Sequence, residues 1–300
     1  MTGQKLLFVF NPASGKAQIK NELMNIIDIF VKGGYEVSVH PTQKKNDAFY
    51  YISENGLRFD TVVVSGGDGT LNEAVNGLMS IDIDKRPKFG YIPTGTVNDF
   101  ATSLNISKKC GVAANDIISG EPFSFDVGRF KKRYFAYVAA FGAFTDVPYE
   151  TPQQSKNIWG NLAYIGEGIK RLPQISPSFI RVEADEKVIE GEFLLGLVSN
   201  SNSIAGMKTI SNKNVSLNDG LFEVTLIRNP ENPLSVQFML SDLLQKKLDS
   251  KYIYNFKTSK IKFNSKESIS WTLDGEYGGT TKRVVIENIK EAIDIRVRNK

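Results

Sequence analysis

The chain has almost no cysteine or histidine: among its 300 residues there is one of each, Cys110 and His40. A single cysteine excludes an internal disulfide and is typical of a protein kept in a reducing compartment. A single histidine excludes a zinc site built from histidines, and a Ser-His-Asp site would have to use His40. Acid–base chemistry is therefore expected from carboxylates.

Long apolar runs and a strong charge imbalance are missing too. No uninterrupted apolar stretch approaches the roughly 18 residues that a membrane span needs, and no secretory signal precedes the first predicted strand. The formal net charge of +4 is a mild excess, and nothing resembles the basic stripe of a nucleic-acid binder. We therefore expect a cytoplasmic protein without a nucleic-acid partner.

The most informative stretch is a cluster of three glycines and an aspartate, which reads Ser65-Gly66-Gly67-Asp68-Gly69-Thr70. The β-branched run 61–64 before it predicts a buried strand, and residues 71–78 after it have helical apolar spacing. At such a junction backbone N–H groups are unpaired and the helix dipole attracts an anion. Glycine lets a phosphate approach, and Asp68 offers a carboxylate for Mg²⁺ or a sugar hydroxyl. The alternative is a tight structural turn, although one glycine normally suffices for that.

The surrounding residues exclude two common nucleotide-binding motifs. The dinucleotide fingerprint G-x-G-x-x-G needs a glycine where this chain has Asn72. A P-loop needs Gly-Lys followed by Ser or Thr, whereas Gly15-Lys16 is followed by Ala17. A different kind of phosphate site is therefore indicated.

Two further loops have the same position between a predicted strand and a predicted helix. Strand-like residues 6–10 lead into residues 11–16, and residues 89–92 lead into residues 93–100. Alone, each loop is equally well explained as an ordinary helix start, capped by Ser14 or by Thr96. Three such loops at the carboxyl ends of strands mark the edge where an open α/β sheet binds its ligand.

Six motifs along the chain together form a recognisable set. They are Asn11-Pro12-x-Ser14-Gly15-Lys16, Gly66-Gly67-Asp68-Gly69-Thr70-Leu71-Asn72-Glu73, Gly95-Thr96-x-Asn98-Asp99-Phe100, Phe125-Asp126-Val127-Gly128, Ser216-Leu217-Asn218-Asp219-Gly220 and Leu273-Asp274-Gly275-Glu276-Tyr277-Gly278-Gly279. With them the sequence closely resembles the bacterial diacylglycerol kinase and sphingosine kinase-like family of lipid kinases. These motifs cover nearly the whole chain in the family's order. Gly-Gly-Asp-Gly-Thr also occurs in phosphofructokinases and NAD kinases. The later motifs are therefore the ones that distinguish the lipid kinase family from these enzymes.

The resemblance implies that ATP lies across the glycine loops. The residues that it assigns to the nucleotide are Asn11, Pro12, Ala13, Ser14, Gly15, Thr42, Gly66, Gly67, Asp68, Gly69, Thr70, Leu71, Asn72, Glu73, Thr96 and Asn98. Thr42 is the least distinctive of them, since it serves almost equally well as the cap of a helix ahead of Asp47.

Glu276 corresponds to the proton acceptor of the family. A kinase needs a base near the attacking hydroxyl, while metal and hydrogen-bond donors hold the phosphates for in-line transfer. The residues alone favour a hairpin turn, because Leu-Asp-Gly-Glu between two strands is a common turn sequence. Asp68 is the rival candidate, as the base itself or as a Mg²⁺ ligand through water.

The resemblance also implies a structural Mg²⁺ bound by the carboxylate of Asp219 and the carbonyl groups of Ser216 and Leu221. Mg²⁺ keeps several waters, so three protein oxygens are a reasonable set. In close bacterial members a second aspartate is usual where this chain has Asn218. Because that neutral residue weakens the local field, we expect a lower occupancy of the site.

The pattern of predicted elements changes once along the chain. Up to about residue 125 strands alternate with helices, which predicts an open parallel α/β sheet with helices on both faces, as in phosphofructokinases and NAD kinases. Beyond it short strands dominate, among them 260–264, 268–273, 282–287 and 292–297, and predict an antiparallel β-sandwich. We expect an ATP-binding α/β domain, residues 1–126, and a β-rich lipid-substrate domain, residues 127–300, with the active site in the cleft between them. The resemblance adds that the last strand returns to the first domain.

Two apolar segments are ambiguous. Residues 158–172 have near-helical apolar spacing with Lys170-Arg171 at the end, so they form either ordinary core, which we favour, or a membrane-interface helix. Residues 137–144 predict a buried strand or the wall of a lipid pocket.

The sequence therefore predicts a lipid kinase that uses ATP and Mg²⁺, most simply one that converts diacylglycerol to phosphatidic acid. Its substrate lies at the inner face of the membrane, so contact with the membrane is expected to be peripheral and transient. The alternatives are a kinase of another lipid, of a soluble polyol or of a nucleotide, and a non-catalytic nucleotide-binding regulator. The sequence leaves the oligomeric state open, a homodimer included.

Overall fold

The structure, a computed structural model, describes residues 3–17, 19–142, 176–201, 203–204, 207–208, 215–245, 247 and 250–298. It divides into two units: the first comprises Met1–Val127 with Lys290–Lys300, and the second Gly128–Ile289. The apolar segment 158–172 lies outside the described residues. No helix of the described residues is long and apolar enough to cross a membrane.

Strands and helices alternate in the first unit, as the sequence predicts. In chain order they are β1 (Gln4–Phe10), α1 (Ile19–Lys32), β2 (Tyr35–Pro41), α2 (Asp47–Asn55), β3 (Thr61–Gly66), α3 (Asp68–Met79), β4 (Lys88–Pro93), α4 (Asp99–Ser103), α5 (Cys110–Ser119) and the start of β5 (Glu121–Phe130). The four strands β2, β1, β3 and β4 pair in parallel in that order. The register sets Phe10 level with Pro41 and Ser65, so the strands end along one edge of the sheet.

The core of the first unit explains why its strands are apolar throughout. Strands β1 and β3 are covered on both faces, and their central residues are completely buried, as expected for parallel strands between helices. Phe8 of β1 packs edge-on against Phe30 of α1, with ring centroids 5.8 Å apart. Strand β2 is at the edge, and each of its residues is exposed or half-buried.

The end of the last strand belongs to the first unit. Ile295 pairs in parallel with Phe89 of β4. The buried carboxylate of Asp126 accepts the N–H of Glu291 at 2.8 Å, and Arg86 Nη1 donates to the carbonyl of Ala292 at 2.5 Å. These contacts hold the returning segment beside the parallel sheet.

The second unit is built mainly from antiparallel strands. After the end of β5 come β6 (Arg133–Phe135), β7 (Val138–Gly142), β8 (Ser178–Ala184), β9 (Lys187–Ser199), β10 (Ser203–Ile204), β11 (Met207–Lys208), β12 (Phe222–Arg228), α6 (Pro233–Leu244), β13 (Ile253–Thr258), β14 (Lys260–Leu273) and β15 (Glu276–Val297). The long strands pair in the order β13, β12, β9, β7, β14 and β15, and β8 pairs with both β9 and β14.

Two long strands of the second unit divide their pairing between different neighbours. Residues 261–265 of β14 pair with β8, whereas residues 271–273 pair with β7. Residues 187–193 of β9 likewise pair with β8, and residues 195–199 pair with β7. Because strands that exchange partners in this way connect two stacked sheets as readily as they continue one, the sandwich stays a prediction. Trp271 lies in the core of this unit and contacts Phe141 and Phe263 at ring distances of 5.0 Å.

Two predicted strand breaks are wrong. Residues 260–264 and 268–273 form the single strand β14, and residues 282–287 and 292–297 belong to β15. In β14 the register shifts instead, between Asn264 and Ile269, which is how a strand absorbs an irregularity without ending.

Candidate functional site

Three loops of the first unit meet through their glycines at the carboxyl edge of the parallel sheet. A Cβ atom on Gly15 would lie 1.6 Å from the carbonyl oxygen of Thr94. A Cβ atom on Gly95 would lie 2.5 Å from the Cα atom of Gly67. Because both neighbours are backbone atoms, no side-chain movement could make room. The close approach of the loops therefore requires glycine at Gly15 and Gly95.

The middle loop presents the N-terminus of α3. The first hydrogen bond of this helix runs from the N–H of Leu71 to the carbonyl of Gly67, at 3.0 Å. The N–H groups of Asp68, Gly69 and Thr70 precede that bond, and Gly67 at the cap position has no side chain to engage them. Together with the helix dipole, these amides suit a phosphate group.

Asp68 joins the middle loop to the third loop. Its Oδ2 atom accepts the N–H of Asn98 at 3.0 Å, and the side chain of Asn98 bonds both the N–H and the carbonyl of Gly95. Asn98 has a φ of 58°, a left-handed conformation that asparagine tolerates, and it is the N-cap of α4. Thr96 is exposed and does not cap that helix, so the alternative of a capping Thr96 is wrong.

Tyr91 of β4 is bonded to the start of the middle loop, a contact that the sequence did not predict. It is buried, and its hydroxyl donates to the carbonyl of Gly66 at 3.0 Å. Burial, and to a smaller extent the charge of Asp68, raises the pKa of Tyr91 well above its usual value, so the phenol stays a neutral donor. The sequence shows only a tyrosine in an apolar strand, which has no signal of this contact.

Asn11 connects the first loop to the middle loop. Its Nδ2 atom approaches Thr70 Oγ1 at 3.4 Å, and its Oδ1 atom accepts the N–H of Ala13 at 2.9 Å. Pro12 is half-buried and Ala13 is exposed, and a short 3₁₀ turn begins at Ser14. The residues predicted for the nucleotide in these three loops thus lie together at one edge of the sheet.

Four other residues that were predicted to contact the nucleotide lie in the core or have their polar groups engaged elsewhere in the first unit. Leu71 is completely buried in the core and Asn72 is 6% exposed. Glu73 accepts the N–H groups of Asn46 at 2.7 Å and of Ala48 at 3.3 Å, so its carboxylate caps α2. Thr42 donates its N–H to the carbonyl of Phe10 at 2.9 Å, and because the N-cap of α2 is Asn46, the capping alternative for Thr42 is wrong.

In the second unit, Glu276 follows a tight turn that a buried carboxylate fixes. Asp274 and Gly275 both have positive φ values, 50° and 80°, and join β14 to β15, as the hairpin interpretation predicts. Asp274 is 3% exposed, and its carboxylate accepts the N–H groups of Ala136, Tyr137 and Val138 at 2.7–3.0 Å. These bonds set the position of the backbone from which Glu276 projects.

The turn around Asp219 carries an ion pair. Asp219 Oδ1 accepts the N–H of Leu221 at 3.0 Å, and Asp219 Oδ2 lies 3.1 Å from Lys257 Nζ. The same ammonium lies 3.0 Å from Glu223 Oε1, and Glu223 is 2% exposed. Burial raises the pKa of Glu223, against the hydrogen bond from Lys257. Burial alone would lower the pKa of Lys257, but its hydrogen bonds to both carboxylates raise it.

This arrangement tests the expected structural Mg²⁺. Carboxylate and carbonyl oxygens are the ligands that Mg²⁺ prefers. Both oxygens of Asp219 are engaged, one by a backbone N–H and one by an ammonium, so Lys257 already neutralises the carboxylate that a cation would use. Among the described residues there is also no cluster of three or more His, Cys, Asp or Glu placed to hold a metal. A metal at Asp219 therefore competes with Lys257 for the same carboxylate.

Known proteins resemble this chain over both units. A family model described as the diacylglycerol kinase catalytic domain matches residues 5–130. The diacylglycerol kinase of Bacillus subtilis (strain 168) is 36% identical over 273 residues, which cover 90% of this chain and 89% of that protein. The diacylglycerol kinase of Staphylococcus aureus (strain bovine RF122 / ET3-1) is 36% identical over 294 residues, which cover 97% of this chain and 91% of that protein.

A solved structure has the same fold. The crystal structure of a protein from Bacillus anthracis (strain Sterne) superposes with a TM-score of 0.83 over 99% of this chain and 96% of that chain. At 23% sequence identity this likeness concerns the fold alone. It agrees with a mixed α/β architecture that consists mostly of strands.

Proposed function

The chain belongs to the diacylglycerol kinase family, and from that premise we propose that it transfers the γ-phosphate of ATP to a hydroxyl group of a membrane lipid. Diacylglycerol is the first candidate for the acceptor, because the relatives that cover nearly the whole chain carry its name. The product would then be phosphatidic acid. We further propose that the protein is cytoplasmic and reaches its substrate by transient contact with the inner face of the membrane.

The observation that carries the proposal is the junction of three glycine loops at the N-terminus of α3. A triphosphate needs several N–H donors in one place and a backbone that it can approach closely. The first three N–H groups of α3 supply the donors, and the glycines at 15, 67 and 95 keep side chains out of the way. We propose that these N–H groups hold the phosphates of ATP, with Asp68 at the same helix N-terminus.

Asp68 and Asn98 have separate roles in this proposal. Asp68 keeps the third loop in place through the N–H of Asn98, and its carboxylate would hold the Mg²⁺ that accompanies ATP. Asn98 fixes Gly95 from both sides and so maintains the shape of the loop. Because kinases work mainly by positioning and charge stabilisation, a loop held this firmly is useful for phosphoryl transfer.

We propose that Glu276 accepts the proton of the attacking hydroxyl. It is half-buried, and the hairpin from which it projects is anchored by the three N–H groups on Asp274. A general base of this kind contributes typically 10²–10⁴-fold to the rate. Asp274 acts on the reaction only through Glu276 and is a positioning residue.

The proposal is tested by supplying γ-labelled ATP and Mg²⁺ with a panel of acceptors. The panel contains diacylglycerol, monoacylglycerol, ceramide and sphingosine in mixed micelles, with glycerol and a nucleoside as soluble acceptors. Thin-layer separation then identifies the labelled product. We expect label in phosphatidic acid with the wild type and almost none with Asp68→Asn.

Each other outcome has a definite meaning. Label in another lipid would retain a lipid kinase and change the acceptor. Label in a soluble acceptor alone would overturn the lipid assignment. Nucleotide binding without transfer to any acceptor would indicate the non-catalytic regulator.

A further inference from the structure

One further loop lies at the carboxyl edge of the parallel sheet, beside the three glycine loops. It comprises residues 42–46, between β2 and α2, and we call it the β2–α2 loop. The N–H of Thr42 donates to the carbonyl of Phe10, which joins this loop to the start of the glycine loop after β1. Residues 43–46 are exposed. A polar surface loop of this kind is mobile unless its backbone is held.

Two carboxylates hold the backbone of the β2–α2 loop. At the start of the loop, Asp47 Oδ2 accepts the N–H of Gln43 at 2.7 Å. At its end, Glu73 accepts the N–H groups of Asn46 at 2.7 Å and of Ala48 at 3.3 Å. Hydrogen bonds to an ionised acceptor are about twice as strong as neutral ones. The loop is therefore fixed at both ends by charge-assisted hydrogen bonds.

The single histidine of the chain holds Asp47 in turn. His40 Nε2 lies 3.2 Å from Asp47 Oδ2, the oxygen that accepts the N–H of Gln43. The imidazole stacks on the ring of Tyr51 of α2, with the ring centroids 3.6 Å apart and an angle of 13° between the planes. The side chains of His40 and Asp47 are only 20% and 17% exposed. Asp47 therefore has little freedom to leave the loop.

The position of this loop suits the nucleoside half of a nucleotide whose phosphates lie at the N-terminus of α3. Toward β4, the third loop closes directly on the middle loop, with Asn98 bonded to Asp68 and Gly95 against Gly67. Toward β2, the edge continues across β1 for two strand spacings, about 10 Å, and ends at the exposed β2–α2 loop. The longer of the two directions has room for a ribose and a base.

We propose that Asp47 and Glu73 are positioning residues for the nucleoside half of ATP, and that they act on it only by holding the β2–α2 loop. The proposal rests on the proposed function, in which the phosphates of ATP bind at the N-terminus of α3. A loop that is already ordered binds a ligand without the cost of ordering it. Removal of either carboxylate frees the loop, so the nucleoside binds more weakly while α3 keeps its N–H donors for the phosphates.

The test measures the two halves of the nucleotide separately. Asp47→Ala and Glu73→Ala each remove one carboxylate, and Asp60→Ala is the matched control. Asp60 also accepts a backbone N–H at 2.7 Å, that of Lys5, but it directly precedes β3 and so lies at the opposite edge of the sheet. Titration calorimetry gives the affinity of each protein for ATP, for adenosine and for inorganic tripolyphosphate.

A fourth variant guards against misfolding, which circular dichroism detects. His40→Phe keeps an aromatic ring on Tyr51 and removes the nitrogen that contacts Asp47, so it disturbs the core less than the alanine variants do. Steady-state kinetics with diacylglycerol give kcat and the KM for ATP for every folded protein.

We expect Asp47→Ala and Glu73→Ala to bind ATP and adenosine about 3- to 10-fold more weakly and to bind tripolyphosphate like the wild type. The KM for ATP should rise by the same factor while kcat stays the same. His40→Phe should show this pattern with a smaller loss, and Asp60→Ala should match the wild type.

Three results would overturn the positioning role. They are an equal loss of tripolyphosphate affinity, the same loss of adenosine affinity in Asp60→Ala, and unchanged adenosine affinity in the folded variants. Failure of the wild type to bind ATP would refute the proposed function itself. ATP binding without phosphorylation of a lipid would refute only the transfer reaction and leave the positioning role standing.

Discussion

In the first unit the functional loops meet backbone to backbone, with Gly15 against Thr94 and Gly67 against Gly95. In the second unit the turns are fixed by buried or half-buried carboxylates. Asp274 accepts three backbone N–H groups, and Asp219 accepts a hydrogen bond from the ammonium of Lys257. Backbone N–H groups at a helix N-terminus suit a polyanion, and they can be approached only where side chains are absent. A site that supplies a base needs carboxylates, and they must be held in place. The comparison predicts that the first unit is sensitive to added volume and the second to lost charge.

The largest effect of lost charge is expected at Glu276. Glu276→Gln keeps the size of the side chain and removes the base, so kcat should fall about 10²–10⁴-fold with little change in ATP affinity. Steady-state kinetics with diacylglycerol and titration calorimetry with ATP measure the two quantities. Glu267→Gln, at an exposed position of β14, is the control and should be unchanged. A fall of kcat of less than tenfold would transfer the role of base to Asp68.

The second effect concerns the turn before Glu276. Asp274→Asn turns one acceptor into an N–H₂ group that faces N–H donors, so the free energy of unfolding should fall by about 1–3 kcal/mol. Asp185→Asn is a matched control, because Asp185 also sits at a hairpin turn with a φ of 50° but is exposed. Urea denaturation of both variants measures the difference. Equal losses in the two variants would mean that the three N–H contacts of Asp274 are not what holds the turn.

A third prediction concerns the cation at Asp219. If Lys257 occupies the place of a structural metal, Lys257→Met should bind Mg²⁺ better than the wild type does. Mg²⁺ at ten times its Kd would then stabilise Lys257→Met by about 1.4 kcal/mol, and the wild type by less. Thermal unfolding with and without Mg²⁺ in the absence of nucleotide provides the measurement, and Lys257→Met/Asp219→Ala should lose the response. A wild-type response as large as that of Lys257→Met would show that the lysine does not compete.

The smallest effect is expected where a carbonyl has a second donor. Tyr91→Phe removes the hydroxyl that donates to the carbonyl of Gly66, but the N–H of Thr94 still donates to the same carbonyl at 2.9 Å. The free energy of unfolding should therefore fall by only about 0.5–1.5 kcal/mol. Tyr50→Phe, at a residue that is 53% exposed, is the control. A loss well above this range would mean that Tyr91 supports the loops in a further way.

The sequence predicted most where structure is determined locally. Apolar runs and glycine clusters located strands β1, β3 and β4 and the loops after them, because strand burial and helix starts depend on neighbouring residues. The turn at Asp274 and Gly275 was likewise predictable from its residues.

The contacts that the sequence did not predict join distant residues. Glu73 caps a helix 27 positions away at Asn46, and Asp274 holds N–H groups about 136–138 positions away. Such partners depend on strand register and on helix placement, which no short pattern encodes.

The central claim is that the first unit binds the phosphates of ATP through glycine loops that have no room for a side chain. Titration calorimetry of Gly95→Ala with ATP and with adenosine tests it most directly, beside Gly111→Ala, whose new methyl group would meet only side-chain atoms of α1 at 3.1 Å or more. The account predicts that Gly95→Ala weakens ATP binding about 10- to 100-fold, since even one lost charge-assisted hydrogen bond is worth about 1.5–3 kcal/mol. Adenosine binding should be the same in all three proteins, and Gly111→Ala should bind ATP like the wild type. Unchanged ATP affinity in a folded Gly95→Ala protein would contradict the claim.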